Sequence, residues 1–216
     1  MALDEQQQFN QLVDKAKRIL VCLPQQVTVD EVASALAFFE YAKKYDKQVE
    51  IVCDGFKPNE SFSFLEDVEQ VKSKLVNLRQ FVIGLDLEDK KIDEFSYDVE
   101  DGRLKILLLP SHGDFNEEDI NFDKSDYRYD LILTLGAVDL EALGDIYFKN
   151  TDFFFSLPII NVDYRTSNES YGQLNLIHTT KTSIAEILFE FLGEECLSDK
   201  LATALLTGIL AATKSF

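Results

Sequence analysis

The sequence has no basic excess. It sets 21 Lys and Arg against 39 Asp and Glu, a formal net charge of -18. A nucleic-acid binder draws much of its affinity from neutralising phosphates with Lys and Arg. Nucleic acid is therefore not an expected partner, and the charge reads as solubility and self-repulsion. Proline (4) and glycine (9) are scarce, which excludes long disordered linkers. Cysteine is scarcer still. Cys22, Cys53 and Cys196 are an odd set without paired spacing. That speaks against a disulfide framework and for a reduced, cytoplasmic protein with inert buried thiols. No signal peptide is expected, and no apolar run approaches the roughly 20 residues a membrane span needs. No membrane association is expected.

What is there is a large apolar fraction, 46% of 216 residues, enough for one large α/β domain or two small ones. Residues 4–17 read as a polar helix with Phe9, Leu12, Val13 and Ala16 on one face. RILVCL (18–23) and QVEIVC (48–53) read as buried strands around a helix at 28–45, which predicts a parallel pair with a crossover helix. Residues 60–75 are expected to be helical in part. Next come FVIGLDL (81–87), KIDEFSYDVE (91–100) and RLKILLLP (103–110), with Asp101-Gly102 as a hairpin turn between the last two. They predict an antiparallel β insertion at about 81–110. Residues 111–127 look acidic and loop-like.

DLILTL (130–135) and PIINVD (158–163) are further buried strands, and Asp139 is expected to open a helix to about Lys149. Ser183 and Glu186 form a capping box for a helix ended by Gly193. Ser198 caps a last helix with Leu201, Leu205 and Ile209 at core spacing. The phenylalanines at 153–155 read as core or interface, and His112 and His178 as turn or surface histidines. The fold class is α/β, a mostly parallel sheet flanked by helices, Rossmann-like, with the antiparallel insertion.

NVDYRTSNESYGQLNLI (161–177) singles itself out. A buried strand runs into Asp163, where α/β proteins often hold a metal or a phosphate. The next residues are Tyr164 and Arg165, not His or Asp ligands. This stretch, with DLILTLGAVDLEALG and the tail TSIAEILFEFLG…LATALLTGILAATKSF, resembles the DHH phosphoesterase superfamily. The resemblance covers about 18–56 and 128–216. It implies a DHH-like fold and, in active members, two divalent cations, usually Mn²⁺, that polarise a phosphoryl oxygen and activate a water.

That chemistry needs acids and histidines at four motifs, and here most are replaced. Pro24 stands for the first motif's His and Thr28 for its first Asp, while Asp30 is kept. Gly136 stands for the second motif's Asp, with Asp139 just beyond. Asp163 is kept, but Tyr164 and Arg165 replace both histidines, and Ala212 and Lys214 replace an Asp and a Gly of the fourth motif. Thr28-x-x-Glu31 reads as an ordinary capping box, flanked by Val27 and Val32 as a hydrophobic staple. An Asp163–Arg165 or Asp30–Arg165 ion pair would neutralise the remaining acids without metal.

The resemblance thus implies residues 1–216 as a single DHH-like domain without the substrate-binding lobe that family enzymes carry after it. The residual site is Asp30, Asp139, Asp163, Arg165 and Lys214, with no catalytic residues and no metal. The role expected is a scaffold or interaction module for an unidentified protein partner or a second copy of itself. The β insertion at 81–110, with its Asp101-Gly102 tip, is one candidate surface, since an extra sheet edge can pair with another chain, set against the plainer reading that it covers the core. Two other readings stay open. Asp30 and Asp163 would hold one Mg²⁺ or Mn²⁺ in a divergent phosphoesterase, with Arg165, Lys214 or Thr28 on a phosphate of a nucleotide or small phosphate ester. Alternatively, Arg165 and Lys214 would form an anion pocket that binds a nucleotide without cleaving it.

Overall fold

The computed structural model describes residues 3–123 and 127–214. In chain order the strands are β1 (Arg18–Leu23), β2 (Gln48–Cys53), β3 (Val71–Lys72), β4 (Val82–Leu85), β5 (Lys91–Glu100), β6 (Arg103–His112), β7 (Ile120–Asp123), β8 (Leu131–Leu135), β9 (Ile159–Asp163) and β10 (Leu174–Ile177). The helices are α1 (Glu5–Lys15), α2 (Val29–Lys44), α3 (Asp145–Phe148), α4 (Thr151–Ser156), α5 (Ile184–Leu192) and α6 (Asp199–Thr213). They fall into two compact units. One is the chain up to Leu78 together with the chain from Arg128 onward; the other is Arg79–Tyr127.

The first unit is built on a six-stranded sheet of order β10-β9-β8-β1-β2-β3, parallel at every pairing. Continuous apolar strands are what a sheet covered on both faces requires. Ile19, Val21 and Leu23 of β1 and Leu131, Leu133 and Leu135 of β8 join one core with α2, α5 and α6. The intervening Leu20, Cys22 and Ile132 are buried on the opposite face. Each fully buried Leu or Ile contributes roughly 1.5–3 kcal/mol. The chain winds outward from β1 through β2 and β3, then returns to the other side of β1 as β8, β9 and β10. Winding therefore reverses between β1 and β8, and the crevice beyond the C-terminal ends of those strands is where such sheets place ligands.

Several expectations change here. Residues 60–75 form no α-helix. Two short 3₁₀ turns, Glu60–Phe62 and Val68–Gln70, lead into β3, with Asp67 at φ 60 interrupting them. The helix expected from Asp139 to Lys149 is broken at Gly144, whose φ of 64 separates a 3₁₀ turn (Glu141–Leu143) from α3. Strand β10 completes the sheet after 161–173, a strand that the sequence pattern alone does not predict. Phe153 and Phe154 are buried, whereas Phe155 is exposed. Among the described residues no helix is long and apolar enough to cross a membrane.

The second unit consists of antiparallel pairs. β5 and β6 form a long hairpin closed by Asp101 (φ 51) and Gly102 (φ 74), the left-handed pair of a type I′ turn. β4 pairs with β7. The stretch expected to be loop-like, 111–127, thus supplies a strand and a 3₁₀ turn (Glu117–Asp119); residues 124–126 of it lie outside those described.

Candidate functional site

Three loops meet at the C-terminal edge of the sheet: 24–28 after β1, 136–144 after β8, and 164–173 after β9. They are tied together by specific bonds. Asp54, just past β2, accepts from Gln25 Nε2 (3.1 Å) and from the Asp145 amide (3.0 Å), while the Gln25 amide donates to Ala142 O (2.8 Å). Asp139 accepts from the Ala142 amide at 2.7 Å. It caps a turn, as an acid in that position is suited to do.

Asp163, the last residue of β9, is fully buried. Its Oδ1 accepts from the Tyr164 amide (2.8 Å), the Arg165 amide (3.1 Å) and Arg165 Nε (2.9 Å). Its Oδ2 accepts from Arg165 Nη2 (3.1 Å) and Asn168 Nδ2 (2.9 Å). A carboxylate offers about four lone-pair sites, so these donors occupy it completely. Arg165 Nη2 also donates to Gly136 O and lies 3.8 Å from Glu31 Oε1. The expected Asp163–Arg165 pair is therefore present, and the guanidinium joins the ends of β8 and β9 to the start of α2. Tyr164 packs against the core beside it.

Asp30 does not bond Arg165. It turns the other way and accepts from the Ile184 amide (2.7 Å) and the Ala185 amide (3.1 Å), the first turn of α5, and from Ser34 Oγ (3.3 Å). Helix N-termini favour an acid there. Burial nonetheless pushes its carboxyl up to about 6, with the two amides, Ser34 and Arg165 pulling it back down. Glu31 folds over the start of its own helix and accepts from the Thr28 amide (2.6 Å) and hydroxyl (2.9 Å). Burial pushes it up to about 7. Gly136 lies against it, with φ 72. Lys214 is exposed, caps α6 in the left-handed conformation, and makes no hydrogen bond or ion pair with Asp163 or Arg165.

Behind the Asp163–Arg165 pair runs a partly buried amide network. Asn161 Nδ2 donates to Asn168 Oδ1 (2.7 Å) and Asn175 Oδ1 (3.1 Å), and Asn168 Nδ2 donates to Ala137 O (3.0 Å). Tyr171 donates to Thr134 Oγ1 at 2.8 Å. Register explains the cluster, because Thr134, Asn161 and Asn175 are neighbours across β8, β9 and β10. Sequence reasoning finds Glu31 only as a cap and misses Asn161 and Asn168. Their signal is polar residues inside apolar strands and just after them. His178 is half-buried between Glu5 (3.1 Å) and Phe191, and His112 is exposed.

The residues present do not fit a divalent-metal pair. Of the four motif positions, Gly136 and Ala212 carry no donor side chain, Asp163 is saturated, and Asp30 faces a helix end. Among the described residues no group of three or more His, Cys, Asp or Glu is placed to hold a metal ion. What the arrangement does chemically is fix three loops around one guanidinium.

No model of a known protein family and no curated protein sequence matches this chain. Its structure is similar to the crystal structure of an exopolyphosphatase-related protein from Bacteroides fragilis, with TM-score 0.66 and 13% identity. The match covers 98% of this chain and 51% of that one, so the chain spans about half the length of that protein.

Proposed function

We propose that this chain is a DHH phosphoesterase-like protein in which an arginine-centred ion pair takes the place of the metal pair. It works as a scaffold or interaction module and not as a hydrolase. One observation carries the reading. Asp163 commits both oxygens to Arg165, Asn168 and two backbone amides. A metal bound there would have to displace a fork-shaped guanidinium that is itself held by Gly136 O. The structural likeness to an exopolyphosphatase-related protein supports the phosphoesterase-like ancestry.

The second reading is a divergent phosphoesterase holding Mg²⁺ or Mn²⁺ on Asp30 and Asp163. It requires both acids to abandon the bonds just described. An assay with Mn²⁺ on phosphodiester and phosphoanhydride substrates separates the two. The proposal expects no turnover above background. Turnover that disappears in Asp163→Asn would overturn it in favour of the enzyme.

A further inference from the structure

One face of the β5–β6 hairpin is apolar over its three outer rows. Cross-strand register pairs Phe95 with Leu108, Tyr97 with Ile106 and Val99 with Leu104, so these six side chains share one face. The other face is charged toward the tip, with Asp98–Lys105 and Glu100–Arg103, and mixed toward the base, where Leu107 pairs with Ser96 and Leu109 with Glu94. Phe95, Tyr97, Val99 and Leu104 are each 60% or more exposed, and Ile106 is 45% exposed. A two-stranded ribbon is at best marginally stable alone in water. With aromatic side chains carrying about 150–250 Å² each, the face presents roughly 600 Å² of apolar surface. That is at the upper end of the largest patch on an ordinary monomer.

We propose that this face is a homodimer surface, packed against the same face of a second copy. Three features select a second copy as the occupant. The area fits: two such faces would bury about 1,200 Å² together, the lower bound of a stable specific interface. The shape allows self-pairing. A two-fold axis near the Tyr97–Ile106 row would set the Phe95–Leu108 row of one copy against the smaller Val99–Leu104 row of the other. The charge pattern also fits. The chain carries -18 overall, yet none of the six facing side chains is charged, so two copies meet where repulsion is least. The surface lies outside the Asp163–Arg165 site and goes beyond the function proposed above.

The test is sedimentation of the full chain across the micromolar range, at physiological and at molar salt. The expected result is a monomer–dimer equilibrium that tightens with salt, because screening removes the net repulsion. Tyr97→Thr/Ile106→Thr keeps strand propensity and is expected to weaken the dimer at least about tenfold. Asp98→Ser/Lys105→Ser on the other face is expected to leave it unchanged. A single cysteine gives a readout that does not rely on those variants, since the native thiols are buried. Under mild oxidation Tyr97→Cys is expected to form an intermolecular disulfide and Asp98→Cys to form none. A monomer at every concentration, or a dimer indifferent to Tyr97→Thr/Ile106→Thr, overturns the proposal. So does cross-linking through Asp98→Cys in preference to Tyr97→Cys.

Discussion

Glu31 occupies the space that a side chain at position 136 would need. A Cβ on Gly136 would lie 2.4 Å from Glu31 Oε1 and 2.6 Å from its Cγ. The glycine also sits at φ 72, a conformation L side chains rarely adopt. Gly136→Asp, which would restore an acid at the end of β8, is therefore expected to destabilise the fold. Strain and overpacking together predict a loss of about 2–4 kcal/mol, read from urea denaturation. Shortening Glu31 in the same chain relieves only the overpacking part.

Arg165 is the counter-charge of a fully buried carboxylate. Arg165→Ala leaves the buried Asp163 side chain without its counter-charge and two of its hydrogen-bond donors, and the expected cost is about 3–5 kcal/mol. Arg165→Lys recovers little, because an ammonium lacks the planar fork that meets both carboxylate oxygens side by side while reaching Gly136 O. Arg165→Met/Asp163→Asn is expected to cost less than Arg165→Ala alone. Denaturation midpoints of the three variants give the order.

The pH dependence follows from Glu31 and Asp30. Burial raises both folded carboxyls, from 4.5 to about 7 and from 3.8 to about 6. The folded state then holds more protons than the unfolded one between those values. Their contribution is fully present below the unfolded values and is lost as pH rises through 6 and 7. Glu31→Gln cannot ionise, so its stability relative to the native chain is expected to rise between pH 4.5 and 7. The gain is about 3 kcal/mol at roughly 1.36 kcal/mol per unit. Thermal or urea unfolding at stepped pH reads it.

Gly208 tests the packing of α6. Alanine ordinarily favours a helix interior by about 1 kcal/mol over glycine. Here an added Cβ would lie 2.7 Å from the Ala185 Cβ and 2.8 Å from Asp30 Oδ1. Gly208→Ala is expected to lose stability by about 1–3 kcal/mol in spite of propensity. A stabilised variant would mean that α6 is free to move away from α2 and α5.

The sheet was legible because its strands are unbroken apolar runs: RILVCL, QVEIVC, LILTL and IINVD became β1, β2, β8 and β9. The caps at Ser183 and Ser198 were legible because their chemistry is local, although the Glu186 carboxylate accepts from the Thr182 amide and hydroxyl and does not close the box on Ser183. The failures had non-local causes. Asp139 looked like a helix start, but the chain breaks at Gly144 (φ 64), which packs so close to Asp54 that an added Cβ would lie 2.6 Å from its Oδ2. Strand β7 lies in an acidic stretch and exists through its pairing with β4. In the candidate site, the Asp163–Arg165 pair could be read because the two residues are close along the chain. Glu31 and Asn168 could not, since their roles depend on which loops the sheet brings together.

The proposed replacement of the metal pair by Arg165 is decided by calorimetric titration of the purified chain with Mn²⁺, beside the Asp30→Asn/Asp163→Asn variant. No saturable heat up to millimolar Mn²⁺ is expected in either protein. Micromolar binding in the native chain that vanishes in the variant would show that Asp163 holds a metal and would overturn the proposal.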